Sequence, residues 1–576
     1  MKIIVAKTAG FCMGVRRAVE MVLDSPAKHQ EPIFTYGPLI HNPQVLALLE
    51  EKGIRILKTI PEHGSGTVLI RAHGVPPEVK TKLTAAGFRV IDATCPRVIK
   101  VQTIIRKYTR QGYTAIIVGD RDHPEVVGLL GYAHGKGRVA ADLHELQTLL
   151  PFDQAIIVAQ TTQNTLLFED IKTWVAKAHP HYKIFNTICD STEKRQIEVK
   201  RLSEAVDAIV VVGGRESGNT QRLATIARQS GKPAYHVETE EELDEVLADV
   251  HQIGITAGAS TPNWVIKRVY RTLESFPMKK GKGWRRWWFN IERSLLLTSI
   301  YVAFGAGALC YAGSKLQGIA GHLPNVLISI LYVQSMHILN HLVGRKADRY
   351  NDPERASFYD NHKWPLSLLA VLAGGLGLMA AFSLGSIPFI ILLGMSLTGL
   401  SYNLRIIPGQ PIKGKYRKIR DIPGSKTLLI TLAWGIVTSL FPSFTSSEGI
   451  TWHTPIVFVW AAGMVFIRTA FFDILDMQGD RIIGKETIPI LLGEKKTMRL
   501  LKWMLAAIMG ILLISSILKL VPALGYLQII PLASLLFLLS GYEKEYLLPG
   551  VRVEFLVESH FILAGMIALA WDLTAG

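Results

Sequence analysis

Residues Met278–Arg293 read MKKGKGWRRWWFNIER, and the chain changes character on either side of them. Before this stretch, short apolar runs alternate with polar turns, as in a water-soluble α/β protein. From Ser294 onward, long apolar stretches follow one another, each near the roughly 20 residues that carry a helix across a bilayer. The stretch itself clusters Lys and Arg with Trp284, Trp287 and Trp288. That composition suits a membrane interface, where cations meet anionic lipid headgroups and indoles sit at the boundary. The 576 residues therefore divide into 1–277, an interfacial linker 278–293, and 294–576.

Composition agrees with the division. An apolar share of 49% with 19% charged residues is the average of two unlike halves. The formal net charge of +16 would suit nucleic acid. Much of the excess, however, lies in the linker and in loops between the apolar stretches, where topology accounts for it, so no nucleic-acid partner is expected. The opening MKIIVAKTAG is too short and too soon polar for a signal peptide, so residues 1–277 are expected to face the cytoplasm. Four cysteines in so long a chain do not make a disulfide scaffold.

Within residues 1–277, six runs read as buried parallel strands: Lys2–Ala6, Val68–Ala72, Ala115–Asp120, Ala155–Gln160, Ala208–Gly214 and Ile253–Ala257. Each ends in a polar or glycine-rich turn. Ligands of open α/β sheets collect beyond the C-terminal ends of strands. Cys12, His73, Cys95, His123, Thr161, Ser217 and Ser260 fall at such positions, which points to one convergent site. No glycine-rich phosphate loop occurs in the usual context, so a nucleotide site is not expected.

Cys12, Cys95 and Cys189 are far apart in sequence, so each comes from a different strand–helix connection. Three readings stand side by side: buried free thiols that pack as small hydrophobes, a zinc site without the usual paired spacing, or thiolate ligands of an iron–sulfur cluster with one iron left open. Cys310 lies in an apolar, membrane-type stretch and reads as packing.

The segments FCMGVRRAVE, GPLIHNPQV, RAHGVPP, DATCP, DHPEVVG, QTTQ, TICDSTEKRQ, VVGGRESGNT and TAGAS, in this order, resemble 4-hydroxy-3-methylbut-2-enyl diphosphate reductases over roughly residues 1–275. The resemblance implies a three-lobed α/β fold holding a [4Fe–4S] cluster on Cys12, Cys95 and Cys189. It also implies reductive removal of an allylic hydroxyl, the last step of the methylerythritol phosphate route to isoprenoids. By the same resemblance His41, His73, His123, Ser217, Gly218, Asn219 and Ser260 line the diphosphate site. Glu125 would be the proton source and Thr161 its relay, and a ferredoxin or flavodoxin would supply electrons. Where relatives often carry Ser-Ser-Asn, this chain has Ser217-Gly218-Asn219. The missing hydroxyl donor is worth about 0.5–1.5 kcal/mol of binding.

Beyond the linker, hydropathy predicts an all-α polytopic membrane domain of about nine helices. Their centres lie near Val302, Ile330, Leu372, Leu392, Leu432, Val459, Ile511, Ala533 and Ala564. Loops after the even-numbered spans hold roughly twenty Lys and Arg against about two opposite, which keeps both halves facing the cytoplasm. FFDILDMQGDRIIGKETIPILLG places Asp473, Asp476 and Asp480 at the end of one span, and NHLVGRKADRYNDPERASF offers Asn340, Asp348 and Asp352. Carboxylates three and four residues apart share a helix face and suit Mg²⁺ bound to a diphosphate. These segments resemble the UbiA-like intramembrane prenyltransferases, with isoprenoid diphosphates as substrates. Gly344 stands where the first motif has its first aspartate, and Phe472 where a lysine is common. The alternative is a lipid-binding or anchoring domain without catalysis. A further rival keeps the cluster for redox sensing, with no turnover.

Overall fold

The computed structural model describes residues 1–28, 31–149, 151–280, 284–320, 323–402, 405–407, 417–419, 422–477, 480, 486–544 and 550–575. The chain forms two compact units, Met1–Lys280 and Gly281–Gly576.

The first unit starts with β1 (Lys2–Val5) and builds two complete sheets before returning to it. β2 (Ile33–Tyr36), β3 (Arg55–Leu57), β4 (Thr67–Ile70) and β5 (Arg89–Asp92) pair in the order β3-β2-β4-β5. β6 (Thr114–Val118), β7 (Gly137–Ala140), β8 (Ala155–Ala159) and β9 (Lys183–Phe185) pair as β7-β6-β8-β9. β10 (Ala208–Val212), β11 (Ala234–Val237) and β12 (Gln252–Ala257) then join the first strand in the order β1-β12-β10-β11. Every pairing in these three sheets is parallel.

Parallel strands need helical crossovers, and those helices cover both faces of each sheet. β6 shows the consequence. Ile117 packs with Val98, Val101 and Ile105 of the helix Pro96–Arg110. Its neighbour Ile116 turns to the opposite face, against Phe168, Ile171 and Val175 of the helix Thr165–Ala178. The period of two thus feeds two cores from one strand. Each such fully buried side chain contributes about 1.5–3 kcal/mol.

The second unit is mainly helical, with a large apolar core that includes Trp460, Phe441, Phe471 and Phe561 and a smaller cluster of Ile338, Tyr359, Leu366 and Ala370. Among the described residues, seven helices are long and apolar enough to cross a membrane, from Leu323–Gly344 to Val551–Thr574. The two other expected spans differ from the hydropathy reading. The one near Val302 is a broken helix, Asn290–Leu297 and Ile300–Leu316, bent by 76°. Ser299 between them adopts a left-handed φ of 59°, which a helix does not accommodate. The one near Leu392 is Ser386–Ser401, 16 residues, or about 24 Å of rise against a hydrocarbon core of about 30 Å. The linker is largely helical, as Asn263–Lys280 and Trp284–Leu297, with Trp287 and Trp288 exposed.

Candidate active site

The three thiols come from equivalent places. Cys12 follows β1, Cys95 follows β5 and Cys189 follows β9, each an edge strand of its own sheet. Each also stands at the start of a helix: Met13–Lys28, Pro96–Arg110 and Asp190–Ala205. Three helix N-termini therefore direct their positive ends at the sulfurs, which favours thiolates. The backbone packs tightly there, since a Cβ on Gly14 would lie 2.5 Å from Cys95 Sγ. Burial pushes the Cys95 thiol up, backbone N–H groups of Arg97 and Val98 oppose this, and the charges of Cys12 and Cys189 add to the rise.

The inner strands supply the polar groups. His41 follows β2, His73 follows β4, His123 follows β6, Thr161 follows β8, Ser217 follows β10 and Ser260 follows β12. All six inner strands contribute. The imidazoles converge, with ring centroids 4.9 Å apart for His41–His73, 5.3 Å for His73–His123 and 5.8 Å for His41–His123. Burial is the main cause that holds all three rings below the usual histidine range. Arg71 adds to this for each, and His123 is lowered to about 4. The backbone N–H of Glu125 donates to His123 Nδ1 at 3.1 Å. That bond fixes the neutral tautomer with its hydrogen on Nε2.

Ser217 caps the helix Gly218–Gln229, and Ser260 Oγ donates to His41 O at 3.0 Å. His123 Nε2 faces this helix start, 3.7 Å from where a Gly218 Cβ would sit. His41 Nε2, His73 Nδ1 and Asn219 Nδ2 are buried without a hydrogen-bond partner. Buried polar atoms are normally satisfied, so these three leave hydrogen-bonding capacity at the helix start that a polar ligand could engage. A helix N-terminus beside three imidazoles suits a phosphate-type anion.

Glu125 is 1% exposed. Burial raises its carboxyl above the usual range, although Thr161 opposes this through two hydrogen bonds. The sequence reading missed two arginines. Arg222 reaches Asp120 Oδ2 at 2.7 Å and Gln163 Oε1 at 3.1 Å, and its charge acts on both His123 and Glu125. Arg71 donates to Gly74 O at 3.3 Å behind the imidazoles. It stands two positions before His73 in RAHGVPP, so the motif contained it.

The residues fit an iron–sulfur cluster better than a single ion. Sulfurs around one zinc lie about 3.8 Å apart, given tetrahedral bonds of about 2.3 Å. Among the described residues, the trio whose ligand atoms all fall within 4.8 Å is His41, His73 and His123, not the thiols. The thiols are nevertheless close enough to feel one another's charge.

In the second unit several of the aspartates are engaged by protein groups. Asp473 is 0% exposed and accepts from Lys426 Nζ at 2.8 Å and Thr427 Oγ1 at 2.7 Å. Both its oxygens therefore face protein donors, and it balances a lysine on a neighbouring helix. Asp480 Oδ1 accepts from Asn351 Nδ2 at 2.9 Å, which joins the two aspartate segments. Asp348 meets His341 Nδ1 at 2.8 Å, Asp352 caps the helix Pro353–Asn361, and Asp476 ends the helix His453–Leu475. Asn340 is exposed. A Cβ on Gly344 would meet open space, so an aspartate there would have had room. Gly484, in the segment FFDILDMQGDRIIGKETIPILLG, lies outside the described residues.

Fold and site together define a three-lobed α/β enzyme that brings three thiols and three imidazoles to its strand ends and carries a polytopic helical unit. Residues 3–274 match the family described as LytB protein, and residues 299–548 match the UbiA prenyltransferase family. The 4-hydroxy-3-methylbut-2-enyl diphosphate reductase of Aquifex aeolicus is 43% identical over 276 residues, 46% of this chain and 94% of that protein. The reductase of the same name from Nitratidesulfovibrio vulgaris is 46% identical over 280 residues, 48% of this chain and 100% of that one. A solved UbiA homolog from Archaeoglobus fulgidus bound to DMAPP and Mg²⁺ is 19% identical, covering 48% of this chain and 98% of its own, with a TM-score of 0.34. The chain belongs to the LytB family of oxidoreductases and carries a UbiA prenyltransferase domain in its C-terminal half. Its apolar helices make it an integral membrane protein.

Proposed function

We propose that residues 1–277 reduce 4-hydroxy-3-methylbut-2-enyl diphosphate to isopentenyl and dimethylallyl diphosphate. The allylic hydroxyl leaves as water, with two electrons and two protons taken up. One observation carries this reading: a three-imidazole anion site and a buried carboxyl group meet beyond the inner strands, while the edge strands deliver three thiols. Cys12, Cys95 and Cys189 would hold a [4Fe–4S] cluster, which supplies electrons and a Lewis-acid iron without a protein ligand.

The remaining work falls to side chains of this chain. His41, His73 and His123 enter neutral and gain charge as the diphosphate arrives, which strengthens their hydrogen bonds to it. Asn219, Ser217, Ser260 and the Gly218 backbone complete the cradle. Glu125, whose carboxyl burial raises above the usual range, passes its proton through the Thr161 hydroxyl to the departing oxygen. A ferredoxin or flavodoxin supplies the electrons on the cytoplasmic side. Anaerobic assay of the full chain with the diphosphate alcohol and a reduced one-electron dye tests the reading. Product should form with the parent chain and not with Cys95→Ser; equal rates would end it.

The membrane unit is assigned transfer of a prenyl chain from its diphosphate to an acceptor. Asp348, Asp476 and Asp480 would hold Mg²⁺ there, with Asn340 at the edge of the set and Asp473 engaged by Lys426. The ion would neutralise the leaving diphosphate. Gly344 and the Lys426–Asp473 pair favour a second reading, a lipid-binding domain without catalysis. Mg²⁺-dependent consumption of a prenyl diphosphate by the full chain, lost in Asp476→Asn, supports transfer. No consumption supports the second reading.

A further inference from the structure

Arg195 lies on the helix Asp190–Ala205, which begins directly after Cys189, and is only 3% exposed. Its NH2 group donates to Gly10 O at 2.5 Å. Its NH1 group donates to Ser191 O at 3.1 Å and also to Ser191 Oγ. Gly10 stands just before Cys12 in the chain, and Ser191 just after Cys189. The guanidinium therefore ties together the segments that carry two of the three thiols. Gly10 holds a left-handed φ of 102°, and a Cβ there would lie 2.5 Å from Asn263 Oδ1, so its carbonyl is presented from a position closed to other residues.

One turn further along the same helix, Glu198 accepts from the backbone N–H groups of Lys7 at 2.6 Å and Thr8 at 2.8 Å, and from Thr8 Oγ1. Positions three apart share a helix face. Arg195 and Glu198 thus grip residues 7–10 together, and the Glu198 carboxylate is occupied by that grip.

This leaves an unusual electrostatic situation. Every hydrogen-bond acceptor of Arg195 is a neutral oxygen, and its Nε is buried without a partner. A buried cation is costly unless an anion stands close by. The charges that act most on it are those of Cys12 and Cys189, ahead of Glu198. Negative charge on the thiols, together with Glu198, would offset the cost of this burial.

We propose that Arg195 is a positioning residue that locks the Cys12 segment to the Cys189 helix and offsets the negative charge of the thiolate-held cluster, so that the centre accepts an electron more readily. The proposal rests on the cluster reading above. Arg195→Lys keeps the charge and loses the two-armed bridge, whereas Arg195→Gln keeps hydrogen bonding and loses the charge.

The experiment is a spectroscopically followed redox titration of the anaerobically purified full chain, with iron counted in each sample. Arg195→Gln should retain its cluster and bind the added electron at least tenfold less favourably, a fall of about 59 mV for a one-electron couple. Arg195→Lys should stay within about threefold of the parent, roughly 30 mV. Loss of the cluster from the Gln variant alone also supports the need for charge. Unchanged potentials in both variants, or cluster loss from both with the fold intact by circular dichroism, would overturn the charge role. A parent chain without any cluster would instead refute the functional reading, so the two failures are told apart.

Discussion

Thr161 binds both oxygens of Glu125, its backbone N–H donating to Oε1 at 2.6 Å and its Oγ1 hydroxyl meeting Oε2 at 2.7 Å. The backbone bond fixes the carboxyl plane, while the hydroxyl is free to rotate. When Glu125 is protonated, its O–H donates to Thr161 Oγ1, and the threonine hydrogen turns toward the substrate. On the proposed reading the pair acts as a two-position proton relay, with Arg222 and Asp120 near enough for their charges to act on the carboxyl.

Glu125→Gln preserves the shape of that pair and removes the acid. Turnover should fall by about a hundredfold to ten-thousandfold, the usual contribution of a general acid, with iron content unchanged. Steady-state kinetics alongside iron analysis measures both. Loss of iron together with activity would instead make Glu125 a folding residue.

His123 gives a dependence on pH whose direction is fixed. Its folded value of about 4 lies below the 6.5 of an unconstrained histidine. Between these limits the unfolded chain binds a proton that the folded chain refuses, so stability falls as pH drops from about 6.5 to 4. The site contributes about 3 kcal/mol across that window. Denaturant titrations at pH 7 and pH 5 should show the loss, and His123→Gln should reduce it. Inorganic diphosphate should oppose it, since an anion beside neutral imidazoles draws protons onto them.

Gly218 offers a gain-of-binding test. A Cβ there meets Arg222 NH1 at 3.0 Å, the end of a flexible side chain, and otherwise sits 3.6–3.7 Å from the His123 ring. Gly218→Ser should therefore fit after a small movement of Arg222 and place a hydroxyl in the cradle. Substrate KM should fall about two- to tenfold, matching about 0.5–1.5 kcal/mol. An unchanged KM would place position 218 outside contact with the diphosphate.

Asp473 and Lys426 form a pair in which the carboxylate is wholly buried and the lysine about a third exposed. Lys426→Met leaves the carboxylate unpaired and should cost about 3 kcal/mol, the low end for a buried pair because of that exposure. Adding Asp473→Asn should restore much of the loss. Thermal unfolding in detergent tests this, and failure of the double variant to recover would separate the two residues.

Legibility in the sequence followed burial. Four of the five inner strands that were read, β4, β6, β8 and β10, are buried almost throughout, and β12 nearly so. Their unbroken apolar runs announce them. Five of the six unread strands, β3, β5, β7, β9 and β11, are edges, where exposed or half-buried positions such as Arg55, Lys183 and Tyr235 interrupt the pattern. The sixth, β2, alternates buried and half-buried residues over only four positions. Thiols could be placed beyond strands, but their shared origin on edges needed the sheet orders. Arg195 and Lys426 were invisible for another reason: a buried charge declares itself only through its tertiary partners. The break at Ser299 was equally hidden, because hydropathy is blind to φ.

Counting iron and acid-labile sulfide in the anaerobically purified chain, beside the single variants Cys12→Ser, Cys95→Ser and Cys189→Ser, decides whether three separated sulfurs serve one inorganic centre. The parent should carry about four of each per chain, and every variant should lose most of both. One zinc per chain, or full iron in any of the three variants, would contradict a shared centre and remove the basis of the proposed reduction.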